Sequence, residues 1–576
     1  MTWSESLLEI VRDAPLGQLL RFFTHNRVLQ YPEENPDFKL PEAWNQLSLD
    51  LEKACLGTSH IGSGEPSTID NLQGEKATIN GTGTTTPDIE SSSSDEQGTT
   101  RCTKNITKDG TILVDWYSDS DPANPHNWSP RRRLFVGSLI SIYTGVVYVS
   151  SSIYTPSVEG VMEEFHVSSL TAALGLAMYV LGYGIGPLLF SPLGEIARIG
   201  RNPVYFVTIL LFVVFSIPTP FVNTFAGLII LRFLQGFFGS PCLAAGGATL
   251  GDLYGLEQFP FAMVAWVSAM SCGPALGPLL STYAVSAKGW RWSLLEIIWM
   301  SAPLLLLYFV LMPETSGPSI LLQRARRLRK ATGNQRLKSQ SEIDQAHLTV
   351  SNIAVDALIK PLEITIKDPA ILFVQVYAAI VYGIYYSYFE VFPMVYPAAY
   401  GMGMHSVSLV FICIGVGSML AAVGYWAYLY FVLMPQIKKS GLRSQEQTLL
   451  AGLPICFGPT IGLFTFAWTA RSSIHWIVPT LGVTLYAGSV FTILQCIFLY
   501  VPFSYPRYAA SLFAANDFFR SALACGSILF AHPLYHNLGF AKGTSLLGGL
   551  SVIGILGMWW LYFYGAKLRA MSKFAG

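Results

Sequence analysis

Ionisable side chains are scarce in the apolar part of this sequence, which begins near residue 134. The exceptions are Arg232, Glu296, Glu390, Asp517 and Arg520. A charge inside a segment that crosses a bilayer costs at least about 2.5–3.5 kcal/mol, so it usually has a functional reason. A carboxyl group placed there can take up a proton on one side of a membrane and release it on the other. Asp517 and Glu390 are therefore candidate proton carriers.

Position along the helices separates these candidates. Asp517 lies roughly 15 Å from the start of its predicted helix, close to the membrane midplane, whereas Glu390 lies nearer the opposite surface, which weakens its case. Asp517 and Arg520 are three residues apart, so they can form an ion pair that neutralises both charges. Asp517 and Arg520 could therefore form a purely structural pair or take part in transport. Arg232 could likewise be structural, holding neighbouring helices together.

Two Gly-Pro steps stand within one apolar segment, "SCGPALGP", at Gly273, Pro274, Gly277 and Pro278. Proline removes a helix hydrogen bond and glycine lets another backbone come close. The motif predicts a helix that bends and packs tightly against a neighbour, although an ordinary membrane kink would show the same residues.

Four aromatic residues follow one another at helical spacing further along, at Tyr382, Tyr385, Tyr386 and Phe389. They could line an adaptable apolar pocket. Rings that face lipid or pack between helices remain the alternative.

Other kinds of chemistry find little support in the sequence. No GxxxxGK[ST] motif is present, so active transport would have to draw on an ion gradient rather than on a nucleotide. The eight cysteines show no CxxC or Cys/His spacing, so neither a metal nor another cofactor is expected. The nine histidines form no cluster of the kind that a membrane enzyme needs, and a net charge of zero gives no case for a nucleic-acid partner.

The composition points to a chain that lies mostly in a membrane. Of its 576 residues 51% are hydrophobic and 12% are charged, where a soluble protein averages about 25% charged. Twelve apolar runs are each long enough to cross a ~30 Å hydrocarbon core. They lie near 134–155, 169–190, 203–222, 225–248, 259–283, 292–311, 370–392, 406–432, 448–469, 474–501, 508–532 and 544–565. The break at 312–368 divides them six and six, as expected of two structural repeats.

The sequence divides into four predicted segments, which are an N-terminal tail (1–130), a first bundle (131–311), a linker (312–368) and a second bundle with a short tail (369–576). The tail contains a predicted amphipathic helix at 3–23, lying either on the membrane surface or on the protein. It lacks the features of a cleavable signal. The Ser- and Thr-rich stretch from Gly57 to Asp109 is predicted to be disordered.

Basic residues are distributed unequally between the two sides of the predicted spans. The side that carries both termini and the linker holds 21 Lys and Arg residues, and the other side holds four, Lys288, Arg291, Arg471 and Lys542. By the positive-inside rule, both termini are predicted to be cytoplasmic.

The sequence from about Asp115 to the end resembles the fungal twelve-span drug:proton antiporters of the major facilitator superfamily, and most closely the branch that exports azoles and benzimidazoles. The similar segments are "VDWYSDSDPANPHNWSP", "LRFLQGFFGS", "GPALGP", "MPETSGPSILLQRARRLRKATGN", "YYSYFEVFPMVY" and "FAWTARSSIHWIVP". The second matches the family's fourth-span motif at Arg232, Gln235, Gly236 and Gly239, and "GPALGP" matches its fifth-span antiporter motif.

Two segments depart from the family pattern. In "SPLGEIARIGRNPVY", which resembles the family's gating loop, Glu195 replaces the usual Asp, and Gly200 follows it by five residues instead of three. Arg201 matches the basic position after the glycine. Arg198 lies between Glu195 and Gly200. The salt-bridge partners of this loop are therefore open. Near Ser444, "RSQEQTLLAG" replaces the branch's usual proline-acid start.

The resemblance implies an all-α membrane protein with two six-helix bundles around a central cavity. It implies proton-coupled export of drugs or other amphipathic toxic compounds from the cell, by a monomer in the plasma membrane. It assigns proton transfer to Arg232 and antiport to the fifth-span glycines and prolines. A dedicated exporter of one secondary metabolite, a nutrient importer, a membrane enzyme and a non-transporting sensor remain alternatives.

Overall fold

The computed structural model describes residues 3–35, 37–38, 111–344, 350–441 and 444–572. The stretch predicted to be disordered, from Gly57 to Asp109, lies outside these residues. Within them nearly all regular structure is helical, and the only strands are β1 (Ile112–Val114) and β2 (Leu337–Ser339).

Eleven described helices are long and apolar enough to cross a membrane. Spans one to six are Pro130–Ser152, Leu174–Glu195, Arg201–Ser216, Phe225–Leu253, Phe259–Lys288 and Arg291–Leu311. Spans seven to ten are Pro369–Tyr400, Met404–Lys439, Gly452–Thr469 and Ile477–Ser504.

The last apolar helix, Ala509–Met571, contains two spans. Its 63 residues are interrupted at Gly539, whose φ of 76° and ψ of 163° are not helical. Glycine adopts such angles without a steric penalty. Residues 509–538 are therefore span eleven and residues 540–571 are span twelve, which confirms the predicted total of twelve.

Burial shows which spans lie at the centre. In the most apolar 18-residue stretch of span seven, 83% is buried inside the protein, against 28% in the corresponding stretch of span six. Span seven is therefore surrounded by protein, and span six turns most of its apolar surface to lipid. Because the number of spans is even, both termini lie on one side, which we call the terminus-bearing side.

The described residues fall into two compact units, one within the ranges 1–30, 120–320 and 344–576, the other within 31–119 and 321–343. The predicted division into tail, bundles and linker stays a prediction, since these units join part of the tail with part of the linker. The first unit holds all the spans. It also holds two short helices, α1 (Trp3–Asp13) and α2 (Pro15–Phe23), in the region of the predicted amphipathic helix.

The second unit is built around a parallel pairing of β1 with β2, with Ile112 opposite Leu337. Side chains of the helix Gly317–Thr332 close its small core through Ala325 and Leu328. Glu33 is buried there, and its carboxylate pairs with Arg324 at 3.3 Å and Arg327 at 3.2 Å.

Candidate functional site

The four span-seven aromatics meet at the centre of the first unit. Tyr382, Tyr385, Tyr386 and Phe389 are each at most 5% exposed. Their rings are 5.0–6.1 Å apart from one to the next. They therefore face protein and not lipid, and we call them the span-seven aromatic cluster.

The cluster joins the two halves of the fold through side-chain hydroxyls. The hydroxyls of Tyr382 and Tyr183 in span two are 2.8 Å apart, and those of Tyr386 and Ser151 in span one are 3.1 Å apart. Tyr385 donates a hydrogen bond of 2.9 Å to the carbonyl of Ser271 in span five. Since each bond crosses between the halves, a substrate could replace all three without breaking either bundle.

Little free space remains beside the cluster. One small cavity lies beside it, and its lining includes Met270, Ser271, Tyr382, Tyr385 and Phe491. The centre of a water molecule can occupy about 10 Å³ of this cavity. That is about the minimum that holds one water. The centre is therefore occluded in this conformation, and a drug-sized molecule needs the halves to separate.

Asp517 and Arg520 in span eleven form the predicted ion pair, with an N···O distance of 2.7 Å. Both side chains are at most 2% exposed. Among the described residues, the second carboxylate oxygen of Asp517 and Nε of Arg520 have no hydrogen-bond partner. The guanidinium of Arg520 lies 4.6 Å from the ring centre of Tyr382, so the pair touches the aromatic cluster.

Arg232 is fully buried in the first half and is held by uncharged groups. It donates to the carbonyls of Gly175, Ser150 and Ser151, each at 3.0 Å, and to Gln235 at 3.3 Å. Carbonyl dipoles stabilise the charge in place of a carboxylate.

Ser151 links Arg232 to the aromatic cluster, because its carbonyl accepts from Arg232 while its hydroxyl contacts Tyr386. Tyr386 in turn contacts Tyr382, with ring centres 5.0 Å apart, and Tyr382 contacts Arg520. A continuous set of contacts therefore runs from Arg232 in one half to Asp517 in the other. We call this the central network.

Glu390 and Glu296 lie outside the central network. No hydrogen bond reaches Glu390 among the described residues, although its carboxyl lies within electrostatic range of the Tyr154 hydroxyl. Tyr154 also borders Arg232, at 5.3 Å from its ring centre. Glu296 has one buried carboxylate oxygen without a partner in the described part of the chain.

The fifth-span motif packs on span one. A Cβ added to Gly277 would stand 2.9 Å from the carbonyl oxygen of Val149, and one added to Gly273 would stand 3.1 Å from that of Gly145. The helix continues through Pro274 and Pro278, both buried. The predicted close packing is therefore present, and it places Ser271 beside the aromatic cluster.

The loop between spans two and three has two acidic partners that the sequence left open. Arg201 pairs with Asp252, at the end of span four, at 3.1 Å. Glu314, which follows span six, accepts hydrogen bonds from the backbone N–H groups of Arg201 and Asn202 at 3.1 and 3.2 Å. Glu195 and Arg198 both lie at the surface.

Glu314 ties the gating loop to the end of the first bundle. It also accepts from the N–H groups of Thr315 and Ser316. Burial raises the pKa of the Glu314 carboxyl, and the four backbone hydrogen bonds oppose that rise. Gly200 has a φ of +80°, and an added Cβ would stand 2.3 Å from a Glu314 oxygen, so glycine is required there.

Sequence reasoning missed the partners that complete these sites. Tyr183, Ser151 and Ser271 cross to the cluster, and Asp252 and Glu314 hold the loop. Tyr179 and Tyr183, spaced i and i+4 in "YVLGYG", were a detectable signal for a second aromatic face. Glu314 lies in "MPETSGP", one of the segments similar to the family. That similarity did not indicate that Glu314 caps the first turn of span three.

Two bundles of six spans that meet at an occluded polar centre define a transporter that works across a membrane. The chain belongs to the major facilitator superfamily, since the model of the "Major Facilitator Superfamily" matches residues 140–528. The family predicted from the sequence is thereby confirmed, and this multi-pass membrane protein belongs to a family of transporters.

Named relatives cover most of the chain. The MFS-type transporter pyvG of Aspergillus violaceofuscus is 44% identical, over 82% of this chain and 86% of its own. The fluconazole resistance protein 1 of Saccharomyces cerevisiae is 37% identical, over 81% and 86%. The cycloheximide resistance protein of Candida maltosa is 34% identical, over 98% and 99%.

A solved structure shares the fold. The proton:xylose symporter XylE superposes with a TM-score of 0.56, covering 76% of this chain and 96% of that protein. The sequence identity is 14%, so this likeness concerns the fold alone.

Proposed function

We propose that this protein exports drugs and other amphipathic toxic compounds from the cell in exchange for protons. The single observation that carries the proposal is the central network. It places an arginine–aspartate pair against the same tyrosines that close the path between the halves. A substrate that enters must displace those tyrosines, and a change in charge at Asp517 must alter their neighbour Arg520.

Arg232, Asp517 and Glu390 are the proposed proton-coupling residues. Asp517 is the proposed carrier, because protonation would release Arg520 from its only carboxylate partner among the described residues. Arg232 provides a fixed positive charge at the other end of the network, and Glu390 lies near it beside Tyr154. The substrate leaves chemically unchanged.

The relatives support drugs as the substrate class, since two of them are named for resistance to fluconazole and to cycloheximide. The basic-residue asymmetry supports a cytoplasmic position for both termini. The resemblance to the drug exporters supports the plasma membrane as the location. We propose that it works as a monomer, as the family resemblance implies.

The test is a substrate panel in a yeast strain that lacks its own exporters. Cells that express the wild-type protein should tolerate fluconazole and cycloheximide and accumulate less of each, and a protonophore should abolish the difference. Asp517→Asn at equal surface abundance is the control. Protection that survives the protonophore but fails on ATP depletion would contradict the proposal, and so would increased uptake.

A dedicated exporter of one secondary metabolite is the second candidate from the sequence. It would leave the panel flat for unrelated drugs and protect against a single compound. Breadth across the panel therefore separates the two candidates.

A further inference from the structure

The N-terminal helices α1 and α2 are fixed to the membrane bundle. Arg132, which is buried at the start of span one, pairs with Glu9 at 3.3 Å and Asp13 at 3.4 Å. Asn202, beside the gating loop, donates a hydrogen bond to the carbonyl of Asp13 at 3.4 Å. The two helices thus have a defined position at the terminus-bearing ends of the spans.

The helix α2 has two different faces. Gly17 and Arg21, one turn apart, are buried against the protein, and Arg21 donates to the carbonyl of Leu29 at 2.6 Å. Four large apolar side chains point away from that face, and we call them the α2 apolar arc. They are Leu19, Leu20, Phe22 and Phe23, which are 44%, 41%, 75% and 74% exposed. Water is a poor solvent for such a surface on a helix of nine residues.

The surroundings of the α2 apolar arc indicate what covers it. The helix packs against spans three and six. Both present exposed apolar side chains in the same half of the membrane, Val207 at 50% and Leu306 at 62%. These side chains belong to membrane-crossing helices, so lipid chains cover them. The α2 apolar arc therefore belongs to a helix that packs directly on two lipid-facing spans.

We propose that the α2 apolar arc is inserted into the bilayer, at the boundary between headgroups and acyl chains of the leaflet on the terminus-bearing side. An amphipathic helix in this position buries its apolar face about 5–10 Å deep. Its other face, with Gly17 and Arg21, packs on the protein, while Asp13 at the end of α1 pairs with Arg132. The segment therefore connects this leaflet to Arg132 at the start of span one and to Asn202 at the gating loop, whatever the transported substrate is.

Photocrosslinking of the full-length protein tests the proposal. A benzoylphenylalanine residue replaces Phe22 or Phe23, one at a time, in nanodiscs of phosphatidylcholine and phosphatidylserine, and the irradiated protein is weighed by mass spectrometry. The same residue in place of Phe431, which is 71% exposed on span eight, is the lipid-contact control. Ala331, exposed at the end of the linker helix, is the water-contact control.

We expect phospholipid adducts at positions 22 and 23 at a yield within about twofold of that at 431, and none at 331. An absence of adducts at 22 and 23, while 431 forms them, would overturn the proposal. A chain-to-chain crosslink at these positions would also overturn it, since a second copy would then cover the arc.

Discussion

At the scale of single residues, the Asp517–Arg520 pair could either carry the transported proton or only stabilise the fold. The pair is buried in low dielectric, where attraction between charges is strong but desolvation is costly. Arg520 contacts Tyr382, so a change in the charge of the pair directly alters the surroundings of the aromatic cluster. A purely structural pair would need no such contact.

Variants of the pair separate the two roles. If the pair is only structural, Asp517→Asn or Arg520→Gln leaves a buried charge unpaired, which costs about 3–5 kcal/mol, and the double variant restores both folding and transport. We expect instead that the double variant folds and reaches the membrane yet loses pH-driven efflux in proteoliposomes. Efflux is normalised to folded protein, and full coupling in the double variant would reduce the pair to a tether.

Arg232 gives an independent prediction. Arg232→Ala should fold but lose proton-linked efflux, because no other cation among the described residues lies in its carbonyl cage. Arg232→Lys should retain part of it, since the charge remains while the planar fork that binds three carbonyls is lost. The measurement is efflux against an imposed pH gradient, and coupling at the wild-type rate in Arg232→Ala would show that the residue only packs helices.

Residue types and local spacing predicted part of this site. The i, i+3 spacing was enough to predict the Asp517–Arg520 pair, because both partners lie on one helix. The spacing could not predict that Tyr183 meets Tyr382, since 199 residues separate them and only the packing of the two halves brings them together. The functional roles of all these residues stay predictions.

At the scale of helices, close packing of span five on span one should be sensitive to a single methyl group. Gly277→Ala places a Cβ 2.9 Å from the Val149 carbonyl oxygen and 2.7 Å from the Ile153 nitrogen, so the helices must move apart. Overpacking of this kind costs about 1–3 kcal/mol. We expect reduced efflux with normal surface delivery.

Gly424→Ala is the matched control for this substitution, because it lies in span eight with open space around its Cβ position. It should transport as the wild type does. Equal efflux in Gly277→Ala and Gly424→Ala would show that the motif is a tolerated feature of the helix and not a tight contact.

The gating loop gives a prediction about stability and pH. Glu314→Ala removes the acceptor for four backbone N–H groups and should cost about 0.5–2 kcal/mol by analogy with helix caps. Glu314→Gln keeps one oxygen and should cost less. Because the folded-state pKa is raised, the contribution of Glu314 to stability is present at low pH and is lost as pH rises through that pKa.

Thermal unfolding in detergent at several pH values checks both statements. The difference in Tm between the wild-type protein and Glu314→Gln should shrink or reverse as the pH rises. A Tm for Glu314→Ala equal to that of the wild type would contradict the capping role.

Helix boundaries followed from the sequence where composition changes sharply and not elsewhere. The predicted spans 508–532 and 544–565 are separated in the structure by the single residue Gly539 within one helical run. Tyr535 and Phe540, on either side of Gly539, are helical and their rings pack 6.0 Å apart, so helix extends up to the glycine from both sides. Similarly, the predicted helix 3–23 is two helices, because Pro15 starts a new one after Ala14.

At the scale of the whole molecule, the assigned orientation in the membrane makes a prediction about chemical labelling. Cysteine in place of Ala331, in the linker helix, should resist an impermeant thiol reagent added outside intact cells. Cysteine in place of Ser473, between spans nine and ten, should react. Both positions are exposed, so a difference reports sidedness. Strong labelling at 331 and none at 473 would reverse the assigned orientation.

The pairing of β1 with β2 also fixes an order of events during synthesis. About 220 residues and six spans separate the two strands along the chain. The ribosome therefore delivers β1 long before its partner exists, and the pairing can form only after the first bundle has been inserted. Deletion of residues 112–114 should leave insertion of spans one to six unchanged, and it should expose the linker to protease in every translation intermediate that extends beyond β2.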